Sequence, residues 1–166
     1  KCVFGETIAN PALAVLDIER FAAAAHGHGV PLIVDNTFPT PVLCRPIEWG
    51  ADIVTHSTTK YMDGHGASVG GVIVDSGRFN WNAHADKFPG LTTPDESYHG
   101  VVYTERFGLE GAYITKATAQ LMRDLGSIQS PQNAFLINLG LESLHLRMAR
   151  HAANGRAVAD LSLIHI

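Results

Sequence analysis

Three short apolar runs, each followed by polar residues, constrain the fold of this chain more than any other feature. They occupy residues 31–35, 53–57 and 71–75, and each carries Asp, Ser or His where the apolar positions stop. Consecutive apolar positions imply strands that are buried on both faces, which is typical of parallel sheets covered by helices. The pattern predicts an α/β fold with a mostly parallel sheet.

The segment before the first of these runs carries the signals of a helix. A strand is expected at Val3-Phe4, and Asn10-Pro11 is a helix-start signal because Asn accepts hydrogen bonds from free first-turn amides. Apolar residues then recur at helical spacing as far as Ala25, and Gly27 or Gly29 ends the run. We therefore expect a β-α-β unit in which Asn10 caps the helix.

The rest of the chain is expected to hold helices and one long loop. Residues 45–49 predict a short helix, and residues 76–103, with several Pro and Gly and no sustained period, predict a long loop. Helices are expected over residues 112–125 and from Ser130-Pro131 onward, where Gly140 would interrupt the second. Three arginines are expected on the solvated face of the last helix: Arg147, Arg150 and Arg156.

Composition excludes several classes of protein. The chain has 12 Lys and Arg against 16 Asp and Glu, a formal net charge of −4, so it has no basic surplus for a nucleic-acid backbone. No apolar stretch is long enough to cross a membrane and no secretory signal is visible, which favours a cytoplasmic protein. Cys2 and Cys44 cannot form the disulfide framework of a small secreted domain. The nine histidines lack metal-ligand spacing, so no metal site is expected.

Both ends of the sequence predict that it is part of a longer chain. Lys1 opens almost directly on a strand, and an amphipathic pattern from Ala152 reaches Ile166 without a terminating signal. We therefore expect some groups needed for activity to lie outside these residues. The stretch alone is expected to be inactive and to associate through uncovered apolar sheet surface.

Polar side chains that follow two neighbouring strands form the candidate site. Asp35 ends one strand, and Ser57, Thr59 and Lys60 follow the next, where ligands of open α/β sheets bind. A carboxylate can keep a ring nitrogen protonated, hydroxyls can bind a phosphate, and a lysine amine can bond to a carbonyl carbon. Pyridoxal 5′-phosphate requires this combination of groups, so the sequence predicts that cofactor.

The motifs around these residues resemble the Cys/Met-metabolism family of fold-type-I pyridoxal-phosphate enzymes. The resemblance rests on VDNTFPTP at 34–41, HSTTKY at 56–61 and GHG at 64–66, with Glu6 and Asn10-Pro11 upstream. It implies that residues 1–128 are the C-terminal part of the large cofactor-binding domain. Residues 129–166 would be a helical segment that leads to a C-terminal domain.

The resemblance also implies roles for the residues of the site. Lys60 would form the Schiff base with the cofactor and act as the catalytic base. Asp35 would pair with the pyridine nitrogen, and Ser57 and Thr59 would bind the phosphate.

Three more residues are considered near this site. The resemblance places Asn10 near the phenolic oxygen of the cofactor. Thr37 could touch the ring, because two residues beyond Asp35 on an extended chain it returns to the same side. We can name no chemical step for Glu6, so we assign it to structure.

Two later segments narrow the implied activity. Residues 88–100 and 130–135 are most similar to the O-acetylhomoserine sulfhydrylase branch of the family. That similarity implies a homo-oligomeric enzyme for γ-replacement on O-acetyl-L-homoserine by sulfide or methanethiol, which gives homocysteine or methionine and acetate. Cystathionine γ-synthase and the methionine or cystathionine γ-lyases of the same family remain alternatives.

Functions of a different class also stay open. Gly64, Gly66 and Gly70 could belong to a non-catalytic nucleotide-binding module, although they lie between a lysine turn and a strand rather than between a strand and a helix. An inactive chain that serves only in assembly is the other alternative.

Overall fold

The computed structural model describes residues 1–164 and contains a four-stranded sheet flanked by helices. The strands are β1 (Val3–Glu6), β2 (Leu32–Asp35), β3 (Ile53–Ser57) and β4 (Gly71–Asp75), and they lie side by side in chain order. β1 pairs with β2 and β2 with β3 in parallel, whereas β4 runs antiparallel to β3. The α/β fold with a mostly parallel sheet is thus confirmed.

The first helix begins later than the sequence predicts. α1 spans Ile18–Gly27, and the side chain of Asp17 caps it by accepting a first-turn N–H at 3.2 Å. Residues 8–15 instead form a turn that is closed by an antiparallel bridge. The expectation that Asn10 caps this helix is therefore wrong, because Asp17 satisfies the first-turn amide. The β-α-β unit itself is confirmed.

Each face of the sheet carries its own hydrophobic cluster. Side chains alternate across a strand, so Leu32 and Val34 face one side of β2 and Ile33 faces the other. The first cluster combines α1 with the strands and consists of Ile18, Ala22, Ala25, Leu32, Val34, Ala51 and Val54. The second combines Ile53 with residues that follow β4, namely Phe79, Trp81, Leu91, Tyr103 and Ala112. Burial of each large apolar side chain contributes about 1.5–3 kcal/mol, so the clusters hold the strand ends in place.

The segment from residue 76 to residue 102 is irregular, as predicted, apart from three short helical pieces. They are two 3₁₀ turns (Asn82–His84 and Glu96–Tyr98) and α3 (Pro89–Thr92). Lys116 holds the segment to the next helix, because its Nζ lies 2.6 Å from Asp95 Oδ2 and 4.8 Å from the Tyr103 ring centre. The hydrogen bonds that Asp95 accepts from Lys116 and Ser97 lower its pKa to about 2.

The next helix is longer than predicted. α4 spans Tyr103–Thr115 and is kinked at Gly108, whose φ of 71° and ψ of 175° are not helical. The helix then continues through a π-helical stretch (Lys116–Met122) and ends with α5 (Arg123–Leu125). The predicted end at Gly126 is confirmed, since that residue has the left-handed conformation with φ of 72°.

The last two helices, α6 (Pro131–Glu142) and α7 (Leu144–Ile164), meet at a corner at Ser143. The expected interruption at Gly140 is wrong, because that residue lies inside α6. A Cβ atom there would lie 2.1 Å from the carbonyl oxygen of Asp63, so this glycine permits a close approach instead of ending a helix. The domain division at residue 128 stays a prediction.

Short helices complete the chain between β2 and β3. They are α2 (Thr40–Leu43) and the predicted helix near residue 45, which is a 3₁₀ turn (Pro46–Trp49). Within the described part of the chain, no helix is both long enough and apolar enough to span a membrane.

Candidate active site

A cleft of about 140 Å³ opens at the carboxyl ends of β1, β2 and β3. These strands are parallel, and Glu6 pairs with Asp35 and Asp35 with Thr55 across the sheet. Their polar ends therefore meet at one edge. The lining residues are Glu6, Ile8, Asn10, Asp35, Thr37, Phe38, Ser57 and Lys60. Five of the six residues predicted from the sequence line this cleft, and Thr59 does not.

The carboxylate of Asp35 is held by Thr37. Asp35 Oδ1 accepts hydrogen bonds from the Thr37 N–H at 2.9 Å and from the Thr37 hydroxyl at 2.5 Å. The same hydroxyl oxygen accepts the N–H of Ser57 at 2.8 Å, so it connects the ends of β2 and β3. This arrangement fixes the carboxylate and leaves Asp35 Oδ2 available to a ligand.

Thr37 lines the cleft, but the backbone conformation that brings it there differs from the predicted one. Residues 37–39 form a turn, so the expectation of an extended chain beyond Asp35 is wrong. The turn arises because an Asp side chain readily accepts the N–H two residues further on. A direct contact between Thr37 and a bound cofactor stays a prediction.

Thr59 faces away from the cleft toward the chain before β4. Its hydroxyl accepts the Gly70 N–H at 3.0 Å and donates to the Gly70 carbonyl at 3.2 Å. These bonds attach the turn after β3 to the start of β4. Of the two hydroxyl residues expected to bind phosphate, only Ser57 lines the cleft, and the role assigned to Thr59 stays a prediction.

Lys60 lies in the turn after β3, with its backbone fixed and its side chain exposed. The Lys60 N–H donates to the Ser57 carbonyl at 3.2 Å, and the Lys60 carbonyl accepts the N–H of Gly64 at 2.9 Å. Gly64 has φ of 71°, a conformation that suits glycine. We call residues 57–66 the lysine turn. It presents a movable amine from a rigid backbone.

Glu6 belongs to the cleft, although only a structural role was expected for it from the sequence. One carboxylate oxygen accepts the backbone N–H of Asn10 at 2.8 Å, which orders the turn after β1. Both residues line the cleft beside Asp35. The signal that could have found Glu6 is its position at a strand end, the same signal that identified Asp35.

A buried histidine adjoins the site. His56 is buried in β3, and its Nδ1 atom has no hydrogen-bond partner within residues 1–164. Burial lowers the pKa of His56 below its usual value, while the Asn36 carbonyl and the charge of Asp35 oppose this shift. The neutral imidazole therefore adds no positive charge beside Asp35 at neutral pH.

The groups in the cleft fit pyridoxal 5′-phosphate. Asp35 offers a fixed carboxylate for a ring nitrogen, Ser57 offers a hydroxyl for a phosphate oxygen, and Lys60 offers an amine. No cluster of three or more His, Cys, Asp or Glu side chains suited to a metal ion occurs in residues 1–164.

Comparison with known proteins agrees with this chemistry. Residues 1–162 match the model of the family described as Cys/Met metabolism PLP-dependent enzyme. The chain belongs to this family. The resemblance seen in the sequence is thus confirmed, together with the pyridoxal-phosphate cofactor that the description of the family names.

Curated relatives carry names from sulfur amino-acid metabolism. The homocysteine/cysteine synthase of Saccharomyces cerevisiae is 48% identical over 160 residues, which cover 96% of this chain and 36% of that protein. The O-acetyl-L-homoserine sulfhydrylase of Leptospira meyeri is 46% identical over 172 residues, which cover 99% of this chain and 38% of that protein. The chain therefore spans little more than a third of the length of these relatives.

A solved structure confirms the fold. A crystal structure from Campylobacter jejuni, described as an O-acetylhomoserine (thiol)-lyase, superposes on this chain with a TM-score of 0.86 and a sequence identity of 35%. The match covers 96% of this chain and 40% of that protein, whose crystal structure contains N′-pyridoxyl-lysine-5′-monophosphate.

Proposed function

We propose that the protein is a pyridoxal-phosphate-dependent transferase that replaces the acetate of O-acetyl-L-homoserine with sulfide or methanethiol. The observation that carries the proposal is the convergence of Lys60, Ser57 and the fixed carboxylate of Asp35 in one cleft. The names of the similar proteins support the choice of substrate. The products would be acetate and either homocysteine or methionine.

Each group in the cleft has a separate task in this proposal. The bound cofactor supplies an electron sink that makes the α-proton of an amino acid acidic. Asp35, whose carboxylate Thr37 holds in place, would pair with the ring nitrogen of the cofactor and keep it protonated. The Ser57 hydroxyl would donate a hydrogen bond to the phosphate.

Lys60 moves the protons. Its Nζ atom would hold the cofactor, and the same amine, once free, would take the proton from the substrate α-carbon. The side chain is exposed on a fixed turn, so it can swing between these two positions. The same amine returns a proton when the product leaves.

The proposed partners are an O-acylated amino acid, sulfide or a small thiol, and further copies of the chain. Large apolar side chains lie exposed near the turn after β1 and support self-association: Leu13 is 70% exposed and Val15 77% exposed. We also propose a cytoplasmic location for the protein, because its proposed substrates are small soluble metabolites.

The test uses the natural full-length protein loaded with cofactor. O-acetylhomoserine is supplied with sulfide, with methanethiol, with cysteine or with no thiol, and acetate, amino-acid products, 2-oxo acid and ammonia are quantified. We expect one homocysteine or methionine for each acetate released, and little acetate without thiol. Faster release of a 2-oxo acid and ammonia would instead identify a γ-lyase. Preferential use of cysteine as the thiol would identify a cystathionine γ-synthase.

Replacement of the ring-nitrogen partner gives a second test. Asp35→Asn should still bind cofactor but lose exchange of the substrate α-proton by about a hundredfold or more, because the electron sink is weakened. Deuterium incorporation from heavy water, followed by mass spectrometry, measures this exchange. Asp17→Asn, at an exposed helix cap, is the matched control. Exchange near the wild-type rate in Asp35→Asn would show that the assigned pairing is wrong.

A further inference from the structure

Arg147 of α7 is engaged in the fold, although the sequence places it on a solvated helix face. Its side chain donates three hydrogen bonds: Nη1 to the Tyr61 carbonyl at 2.8 Å, Nη2 to the Gly140 carbonyl at 2.8 Å, and Nε to the Ser143 hydroxyl at 3.0 Å. The guanidinium therefore joins the lysine turn to the corner between α6 and α7. The expectation that Arg147 is simply solvated is wrong.

Two glycines make this contact possible. A Cβ atom on Gly64 would lie 2.6 Å from Arg147 Cζ, so the guanidinium packs directly on the backbone of the lysine turn. A Cβ atom on Gly140 would lie 2.4 Å from the Met62 carbonyl oxygen, so α6 also touches the turn without an intervening side chain. The lysine turn is thus held between Arg147 and α6.

A buried carboxylate orders the far side of the turn. Asp63 is fully buried, and its Oδ2 accepts the N–H groups of Ala67 at 2.9 Å and His65 at 3.3 Å. These hydrogen bonds lower the pKa of Asp63 below its usual value, and the bond from Ala67 has the largest effect. Burial acts in the opposite direction. Asp63 thus fixes the backbone at His65 and Ala67, whereas Arg147 fixes the carbonyl of Tyr61, the residue that follows Lys60.

We infer that Arg147 is a positioning residue for Lys60. It holds the Tyr61 carbonyl against the α6–α7 corner. The backbone from which the Lys60 side chain extends is held in place in the same way. The planar fork of a guanidinium can bond several acceptors at fixed angles, which an ammonium cannot. Arg147 does not line the cleft, so it acts through Lys60 and not on the substrate. The inference rests on the proposed function, because it concerns the work of Lys60 on a cofactor.

The test compares Arg147→Met and Arg147→Lys with Arg150→Met in the natural full-length protein. Arg150 is exposed on the same helix and serves as the matched control. Without cofactor, amide hydrogen exchange in the peptide that contains residues 57–66 should rise in Arg147→Met and stay unchanged in Arg150→Met. With cofactor, Arg147→Met should lower kcat by roughly tenfold to a hundredfold, as expected for a misplaced reacting group, with little change in KM. The pH midpoint of the visible absorption band should shift.

Arg147→Lys keeps a long cationic side chain and should give a smaller loss of kcat. If Arg147→Met does not fold, Arg147→Lys decides. A reduced kcat at an unchanged Tm in Arg147→Lys supports the inference, and a wild-type kcat overturns it. Arg147→Met could instead have a lower Tm while its amide hydrogen exchange, its kcat and the pH midpoint of its absorption band stay at wild-type values. That result would show a merely structural role for Arg147 and overturn the inference. A wild-type protein without a visible cofactor band would instead defeat the proposed function, whereas a normal wild-type band with unaltered variants defeats only this inference.

Discussion

At the scale of single residues, the orientation of Asp35 depends on one hydroxyl. Thr37 donates that hydroxyl to the carboxylate and accepts the Ser57 N–H with its oxygen, so both strand ends share it. Hydrogen bonds to a charged carboxylate are stronger than those between neutral groups. A backbone N–H that loses its partner in a partly buried site also carries a desolvation cost.

Thr37→Val keeps the shape of the side chain and removes the hydroxyl. We expect the free energy of unfolding to fall by about 1–3 kcal/mol, because the carboxylate loses a donor and the Ser57 N–H loses its acceptor. Urea denaturation measures the change. Thr37→Ser should restore most of it, and Thr118→Val, at an exposed helical position, is the control. Wild-type stability in Thr37→Val would contradict this role.

His56 should make stability depend on pH. Its pKa in the folded protein lies below the value of about 6.5 expected in the unfolded chain, mainly because of burial. Between these two values the unfolded state binds more protons, so the free energy of unfolding should fall as pH decreases below about 6.5. The loss should level off below the folded pKa.

Removal of the titrating group tests this dependence. His56→Gln should flatten the change in free energy of unfolding as the pH falls below about 6.5, relative to wild type. Urea denaturation at several pH values measures it, with the exposed His145→Gln as control. An unchanged slope in His56→Gln would contradict the assignment.

Residues at strand ends could be predicted from the sequence, whereas contacts between distant segments could not. Asp35 and Lys60 were predicted because a polar residue after a buried strand must lie at the sheet edge. The direction of the Thr59 hydroxyl depends on Gly70, and the position of Arg147 depends on the α6–α7 corner. Local spacing contains no information on either contact.

At the scale of elements, α6 owes its position to a glycine. Gly140 brings the helix onto the Met62 and Asp63 carbonyls, which lie in the lysine turn. Glycine normally weakens a helix interior, so the sequence pattern predicted an interruption there. The close packing of α6 on the turn outweighs that local preference.

Two glycine substitutions separate packing from helix propensity. Gly140→Ala should lower the free energy of unfolding by about 1–3 kcal/mol or more, because the new methyl group would overlap two carbonyl oxygens. Gly155→Ala on α7 meets no atom within 4 Å and should raise it by about 1 kcal/mol. Thermal or urea denaturation measures both changes. Stabilisation by both alanines would show that α6 does not pack tightly on the turn.

At the scale of the whole molecule, the parallel pairing of β1, β2 and β3 determines where the residues of the cleft lie. Three strands end at one edge, so residues far apart in sequence meet in a single cleft. The apolar runs predicted this sheet but not the antiparallel direction of β4, which an apolar pattern does not specify. Side chains predicted to be buried in β4 are partly exposed, with Ile73 at 44%, because β4 lies at the edge of the described sheet.

Covalent attachment of the cofactor to Lys60 is the central claim, and the chain has only three other lysines: Lys1, Lys87 and Lys116. Lys116 is paired with Asp95, and Lys87 donates to the His28 carbonyl at 2.7 Å. Reduction of the cofactor-loaded protein with borohydride, followed by peptide mapping, identifies the attached lysine. We expect the label on Lys60 alone. A label on any other lysine, or no label at all, would contradict the assignment of this cleft as the active site.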